Sequence, residues 1–270
     1  MRKKPKASAG PYLLHLELLR ERVHSFDEFP FCLAALRNLH RLAFHAKVTF
    51  FVGENGTGKS TLLEALALSI GLNPEGGSRN FNFATRASHS HLDGFVRLAK
   101  TVNLARDSYF LRAESFYNVA TEVERLDSEP GSPPIIGAYG GRSLHEQSHG
   151  ESFFALFQNR FRGNGLYLID EPEAALSPKR QLEFLSVLHN YCKQGGQFVI
   201  ATHSPIIMAY PQSRIYVFSG EGIKEMPYQE TEHYLVTRGF LVNPQRTLNE
   251  LVSEDKSARR SAEDASVEVE

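Results

Sequence analysis

Lys47-Val48-Thr49-Phe50-Phe51-Val52-Gly53-Glu54-Asn55-Gly56-Thr57-Gly58-Lys59-Ser60-Thr61 is the stretch on which the fold turns. Its opening is a short apolar run rich in β-branched and aromatic residues, which predicts a buried central strand ending at Gly53. Downstream, Ser60 to Ile70 is rich in Leu, Ala and Glu and stops at Gly71, the pattern of a helix with a glycine exit. Between the two, Gly53-x-x-x-x-Gly58-Lys59-Ser60 fits the phosphate-binding loop in full and in the strand-to-helix context that loop needs. Glycines let successive amides point inward at phosphate oxygens, and the helix amino end adds partial positive charge. The Lys59 ammonium can reach the outer phosphates and the Ser60 hydroxyl can ligate magnesium. The expected nucleotide-binding residues are therefore Gly53, Glu54, Asn55, Gly56, Thr57, Gly58, Lys59, Ser60 and Thr61. A bland glycine turn has no need of Lys and Ser at these places. Nothing in the loop separates ATP from GTP.

Some hundred residues on, Leu166-Tyr167-Leu168-Ile169-Asp170-Glu171 is an apolar strand ending in two carboxylates. An acid at a strand end beside a phosphate loop can hold magnesium through water, which assigns Asp170, and Glu171 can polarise the attacking water as general base. Phe198-Val199-Ile200-Ala201-Thr202-His203-Ser204-Pro205 repeats the logic, delivering His203 to the carboxyl edge of the sheet, where ligands of open α/β sheets bind. A strand-end histidine also fits a purely structural role, and taken alone His203 leaves both open.

Around these motifs the chain alternates strand and helix. Tyr12 to Leu19 reads as an early strand followed by a turn at Ser25 to Pro30, and Tyr109-Phe110-Leu111-Arg112 as another strand. Ser115 can cap a helix through Leu126, and Ser128 to Pro134 must be loop because its prolines forbid regular hydrogen bonding. Pro178 to Lys193 reads as a helix with Leu182, Leu185, Leu188 and Cys192 near one face, followed by strands Gln197 to Ala201 and Arg214 to Phe218. The expected fold is α/β, a P-loop core with a mainly parallel central sheet, an N-terminal antiparallel β portion and an inserted helical sub-domain. We place a single ATPase domain over residues 1–253, its core lobe at about 10–72 and 164–253 and the insertion at about 73–163. Residues 254–270, rich in Ser, Ala and mixed charge, read as a disordered tail.

Composition bounds the remaining possibilities. With 270 residues, 41% apolar and 23% charged, the chain can bury a large core. A net charge of -1 gives no overall field toward nucleic acid or anionic membrane, so nucleic-acid binding would need a local patch. The densest basic run, Arg2, Lys3, Lys4 and Lys6, reads as a solvated tail. Two unpaired cysteines, Cys32 and Cys192, indicate neither a disulfide framework nor a cysteine zinc site, and fit a reducing cytoplasm. No apolar run is long enough to span a bilayer. Ser88-His89-Ser90-His91 lacks further ligands and reads as surface rather than metal site.

Taken together, the motifs resemble the ATP-binding cassette superfamily, and within it the soluble SMC/RecF-like and stand-alone AAA-type ATPases. The likeness spans about Lys47 to Phe218. It includes Gln147-Ser148-His149-Gly150-Glu151-Ser152, which looks like the family's signature loop, Ala174-Ala175-Leu176-Ser177 in the D-loop position, and Ala201-Thr202-His203-Ser204 in the position of the switch histidine. The resemblance implies ATP and Mg2+ as ligands, and an ATP-dependent homodimer that sandwiches two ATP molecules head to tail. It implies that Lys59, Ser60, Asp170, Glu171 and His203 act in cis and Ser148, Gly150 and Glu151 in trans. Those last residues could equally cap their own helix. His149 stands where the signature commonly has glycine and Ser177 where the D-loop has aspartate. No Q-loop glutamine is recognisable near Asn80 and Asn82, and no adenine-stacking aromatic stands out. The insertion is too short for the long coiled coils of chromosome-organising relatives. The implied partner is DNA or RNA, in maintenance or defence. A protein effector such as a nuclease or toxin is the alternative, and a transporter permease a more distant one.

Overall fold

The computed structural model describes residues 10–78, 90–114, 116–128 and 136–252, and not the side chain of His149. The basic run at 2–6, Asn80 and Asn82, Ser88 and His89, the capping residue Ser115, loop residues 129–134 and the tail from 254 lie outside them. The chain divides into two compact units, Met1–Pro227 and Tyr228–Glu270.

The first unit contains two sheets. Strand β3 (Val48–Gly53) lies between β7 (Gln197–Ala201) and β8 (Ser213–Ser219), and β6 (Gly165–Asp170) and β5 (Asp107–Arg112) extend the sheet on the β7 side. All of these pairings are parallel; β9 (Gly222–Glu225) closes the far edge antiparallel to β8. Every residue of β3, β6 and β7 is buried. Such strands must be apolar throughout because layers cover both faces of a parallel sheet, which is why they read as continuous runs rather than alternating ones. The smaller sheet sets β1 (Leu13–Leu18) between β2 (Arg41–Ala43) and β4 (Val96–Lys100), all antiparallel, the expected N-terminal β portion. The buried Gln197 side chain joins the sheets: its carbonyl oxygen accepts from the amides of Tyr12 and Leu13, and its amide donates to the carbonyls of Leu13 and His45.

Helix α2 (Lys59–Ser69) follows the glycine loop and buries Leu62, Leu63 and Leu66 completely. At about 1.5–3 kcal/mol for each fully buried leucine, this face anchors the helix whose first turn must present Lys59 and Ser60. A short helix, α1 (Ala34–Arg37), precedes β2. Helices α3 (Phe116–Asp127) and α4 (His149–Asn159) supply the expected helical portion. The segment expected as an insertion at about 73–163 is not wholly separate from the sheets, because β4 and β5 lie within it. Tyr109, Phe110 and Leu111 are buried against β6, with Arg112 in register with Asp170.

Helix α5 (Pro178–Lys193) begins and ends close to where the sequence puts it, but its buried stripe is Gln181, Phe184, Leu188, Tyr191 and Cys192. Leu182, expected on that face, is 61% exposed. Aromatic rings set the rotation: Phe184 stacks on Phe157 at 4.5 Å, Phe157 meets Phe161 at 5.0 Å, and Phe161 stacks on Tyr167 at 4.2 Å. These contacts tie α4 and α5 to β6, and aromatic pairs of this geometry add about 0.5–1.5 kcal/mol beyond area burial.

In the second unit, Thr231 caps α6 (Glu232–Val242) by accepting from the Tyr234 amide, and the Tyr228 and Tyr234 rings pack at 4.7 Å. Residues 244–252 are helical after Asn243.

Candidate nucleotide site

Backbone conformation explains the loop glycines. Gly53, Gly56 and Gly58 have φ of 146°, 78° and 99°, a region that L side chains rarely adopt. A β-carbon on Gly53 would stand 2.2 Å from the Phe218 carbonyl oxygen of β8, so that position also needs the missing side chain.

Lys59 is 3% exposed, and its ammonium donates to the carbonyls of Gly53 (2.8 Å) and Glu54 (2.9 Å). Burial pushes it below the usual amine range while Glu171, Asp170, Glu173 and Glu54 pull it back up. Ser60 Oγ donates to Asp170 Oδ1 at 3.1 Å, bringing residues 110 apart in sequence into contact. Burial raises the Asp170 carboxyl from 3.8 to about 6, against the downward pull of Arg112; Glu171 adds to the rise and the Ser60 hydrogen bond opposes it.

Glu171 sits at φ 50°, ψ 54°, and its amide donates to Ala201 O across the sheet edge. Its Oε1 lies 3.4 Å from His203 Nε2. Glu173, inside the acidic run but given no role by sequence, clamps the histidine's backbone: one oxygen accepts from the His203 amide, the other from Thr202 Oγ1 at 2.7 Å. A carboxylate three positions after Asp170 is visible in the sequence, but its target, a turn 30 residues away, is not.

A cavity of about 150 Å³ opens beside the loop, lined by Gly56, Gly58, Lys59, Ser60, Thr61 and Glu171 together with Phe29 and Leu33. Phe29 is 66% exposed. Two arginines hold its segment: Arg20 donates to the carbonyls of Arg37 and Leu39 and lies over the Phe26 ring at 4.3 Å, while Arg37 donates to Phe26 O and pairs with Asp27. Leu33 reaches the loop itself, since a β-carbon on Gly58 would meet its Cδ1 at 3.1 Å. Phe29 stands in an irregular turn, without the periodicity that marks a strand or helix, so spacing does not single it out.

Lys59, Ser60, Asp170, Glu171 and His203 are thus gathered at one sheet edge. Ser148, Gly150 and Glu151 do not line that cavity. Ser148 is the N-cap of α4 in a reciprocal capping box with Glu151, the arrangement of a helix capping itself. Gly150 lies so near the turn of residues 172–175 that a β-carbon would stand 2.8 Å from Ala175 O. Ser177 caps α5 by accepting from the Arg180 amide. For a metal, Ser60 Oγ and Asp170 Oδ1 are hard oxygen donors beside the phosphate loop, and phosphate and water could complete the shell that Mg2+ prefers.

A phosphate loop between a buried parallel strand and a helix, with an acid pair and a histidine on neighbouring strand ends, defines a P-loop nucleoside triphosphatase. A family model described as "AAA domain, putative AbiEii toxin, Type IV TA system" matches residues 137–209, and one described as "AAA domain" matches residues 23–131. The cytochrome c biogenesis ATP-binding export protein CcmA of Mesorhizobium japonicum is 29% identical over 162 residues, 57% of this chain and 77% of that protein. A putative ABC transporter ATP-binding protein of Streptomyces avermitilis is 28% identical over 209 residues, and the chain spans only 36% of its length. Among solved structures, a nucleotide-free ATP-binding cassette from an ABC transporter matches at TM-score 0.49 and 17% identity, covering 87% of this chain and 97% of its own. The SMC head domain from Thermotoga maritima matches at 0.42 and 15%, covering 80% and 99%. The chain is a P-loop ATPase, similar to the ATP-binding proteins of ABC transporters.

Proposed function

We propose that this chain binds Mg-ATP on residues Gly53–Thr61, closes as a head-to-tail homodimer around two ATP molecules, and hydrolyses ATP to drive or switch a partner in nucleic-acid maintenance or defence. The observation that carries the reading is the convergence of Lys59, Ser60, Asp170, Glu171 and His203 from three elements onto one sheet edge. Lys59 moves from its own loop carbonyls to the outer phosphates when ATP enters. Ser60 and Asp170 would hold Mg2+, which would supply charge neutralisation for the terminal phosphates. Glu171 accepts the proton of the water that attacks the γ-phosphorus, and the bond to the bridging oxygen of ADP breaks. His203, fixed by Glu173, holds Glu171 and the γ-phosphate in line. Ser148, Gly150 and Glu151 present the α4 amino end to the nucleotide of a second copy, where exposed amides favour an anion.

Among the described residues no helix is long and apolar enough to cross a membrane, which suits a cytoplasmic site of action. A second reading, a switch for a protein effector such as a toxin or nuclease, is favoured by the toxin wording of the family model over residues 137–209. A transporter's energising subunit is a third, in line with the names of the curated relatives. Nucleic acid that stimulates turnover supports the first reading; a protein recovered only in the ATP state supports the second, and a co-purifying permease the third.

The test is Glu171→Gln examined by light scattering. With ATP and Mg2+ it should become a stable dimer without hydrolysis, and without nucleotide it should remain monomeric. A monomer at every nucleotide concentration would remove the sandwich.

A further inference from the structure

Arg112 closes β5 at the same edge as the acid pair, directly beside Asp170 in the parallel register. Its side chain is 17% exposed, and the guanidinium makes contacts in four directions. Nε lies 3.5 Å from Asp170 Oδ2, an ionic contact without hydrogen-bond geometry. Nη1 donates to Glu64 Oε2 at 3.3 Å and to Pro74 O at 3.0 Å, and Nη2 lies 3.5 Å from Glu114 Oε2. Glu64 is on α2, one turn after Ser60, and Pro74 on the segment that leaves α2. A single planar fork therefore joins the metal-side acid, the phosphate-loop helix and the segment that leaves that helix.

The two oxygens of Asp170 are divided: Oδ1 takes the Ser60 hydroxyl and Oδ2 faces Arg112. A carboxylate held on one oxygen by a fixed cation can offer the other in a single orientation. Unheld, it would rotate about its terminal torsion, which is broad for such groups. We propose that Arg112 is the positioning residue of the metal site, presenting Asp170 Oδ1 beside Ser60 Oγ for a divalent cation. The inference rests on the metal role given to Asp170 above. It makes Mg2+ recognition depend on a residue outside every motif, and places the end of β5 in mechanical contact with the metal acid.

The test separates charge from geometry. Arg112→Lys keeps the positive charge and cannot reproduce the fork; Arg112→Gln removes both. Binding of a fluorescent ATP analogue to the full chain is titrated with chelator and then against free Mg2+, with thermal melting as the check on folding. Arg112→Lys should match the parent affinity within about twofold in chelator, and need about fivefold more Mg2+ for half of the strengthening, a difference of about 1 kcal/mol. Arg112→Gln should need more still. A Mg2+ midpoint for Arg112→Lys equal to or below the parent's overturns the positioning role while leaving the site reading intact. A parent protein whose nucleotide affinity ignores Mg2+ overturns the metal role of Asp170 and this inference with it. Should Arg112→Gln fail to fold, the lysine variant alone decides.

Discussion

Phe29 is about two-thirds exposed, yet its segment is held by two arginines rather than left to collapse onto the core. Phe29 lines the same cavity as the phosphate loop, so a purine bound there would meet its ring. Stacking of a base on an aromatic side chain is worth about 1–3 kcal/mol by alanine substitution, so Phe29→Ala should weaken ATP binding by about fivefold or more while Phe29→Tyr keeps it. Binding of inorganic tripolyphosphate, which has no base, should be unchanged in both variants. An equal loss for tripolyphosphate would mean that the ring supports the loop instead of the base. Lys59, Ser60, Asp170 and Glu171 were singled out by motif and spacing, and His203 only through the family resemblance; the fold brings all five to one sheet edge. Phe29, Arg112 and Glu173 were not singled out, because what each touches is set by tertiary approach: Glu173 by the turn at Thr202, Arg112 by the register of β5 on β6.

The elements themselves were easier to read than their packing. Buried parallel strands must be uniformly apolar, so β3, β6 and β7 were visible as short runs, and the glycine loop fixed the start of α2. On α5, Leu188 and Cys192 turn inward as expected but Leu182 does not, because leucine spacing was weighed while the rings of Phe184 and Tyr191 also decide which face turns inward. The bounds of the insertion blurred for a similar reason, since an edge strand such as β5 has nothing in its sequence that names its neighbour. Where element meets element most closely, Gly53 of β3 pairs with Phe218 of β8, leaving no room for a β-carbon. Gly53→Ala should therefore cost about 3 kcal/mol through steric conflict and backbone strain and should abolish nucleotide binding. Gly56→Ala is the control, having a left-handed φ but open space around it, with an expected cost of about 1–2 kcal/mol from conformation alone. Urea denaturation of the two variants ranks them. Equal midpoints would show that the strand pair yields and that sterics do not fix this junction.

At the scale of the molecule, every residue assigned to the nucleotide site precedes Pro227, the last residue of the first compact unit. Both sheets are complete by Glu225, where β9 ends, and the main hydrophobic cluster draws only on residues up to Ile223. A unit with its own core and closed hydrogen-bond ladders can unfold as a single cooperative block. A chain ended after Pro227 should thus keep one urea transition and bind ATP within about twofold of the full protein, the tolerance expected when no site residue is removed. If the shortened chain binds ATP normally but loses stimulation by a nucleic acid or protein, residues 228–270 carry the coupling. Because net charge is only -1, stimulation by nucleic acid should trace to a local patch and fall steeply with salt. Loss of nucleotide binding, or of the cooperative transition, in the shortened chain would show that the phosphate loop depends on the second unit for its stability.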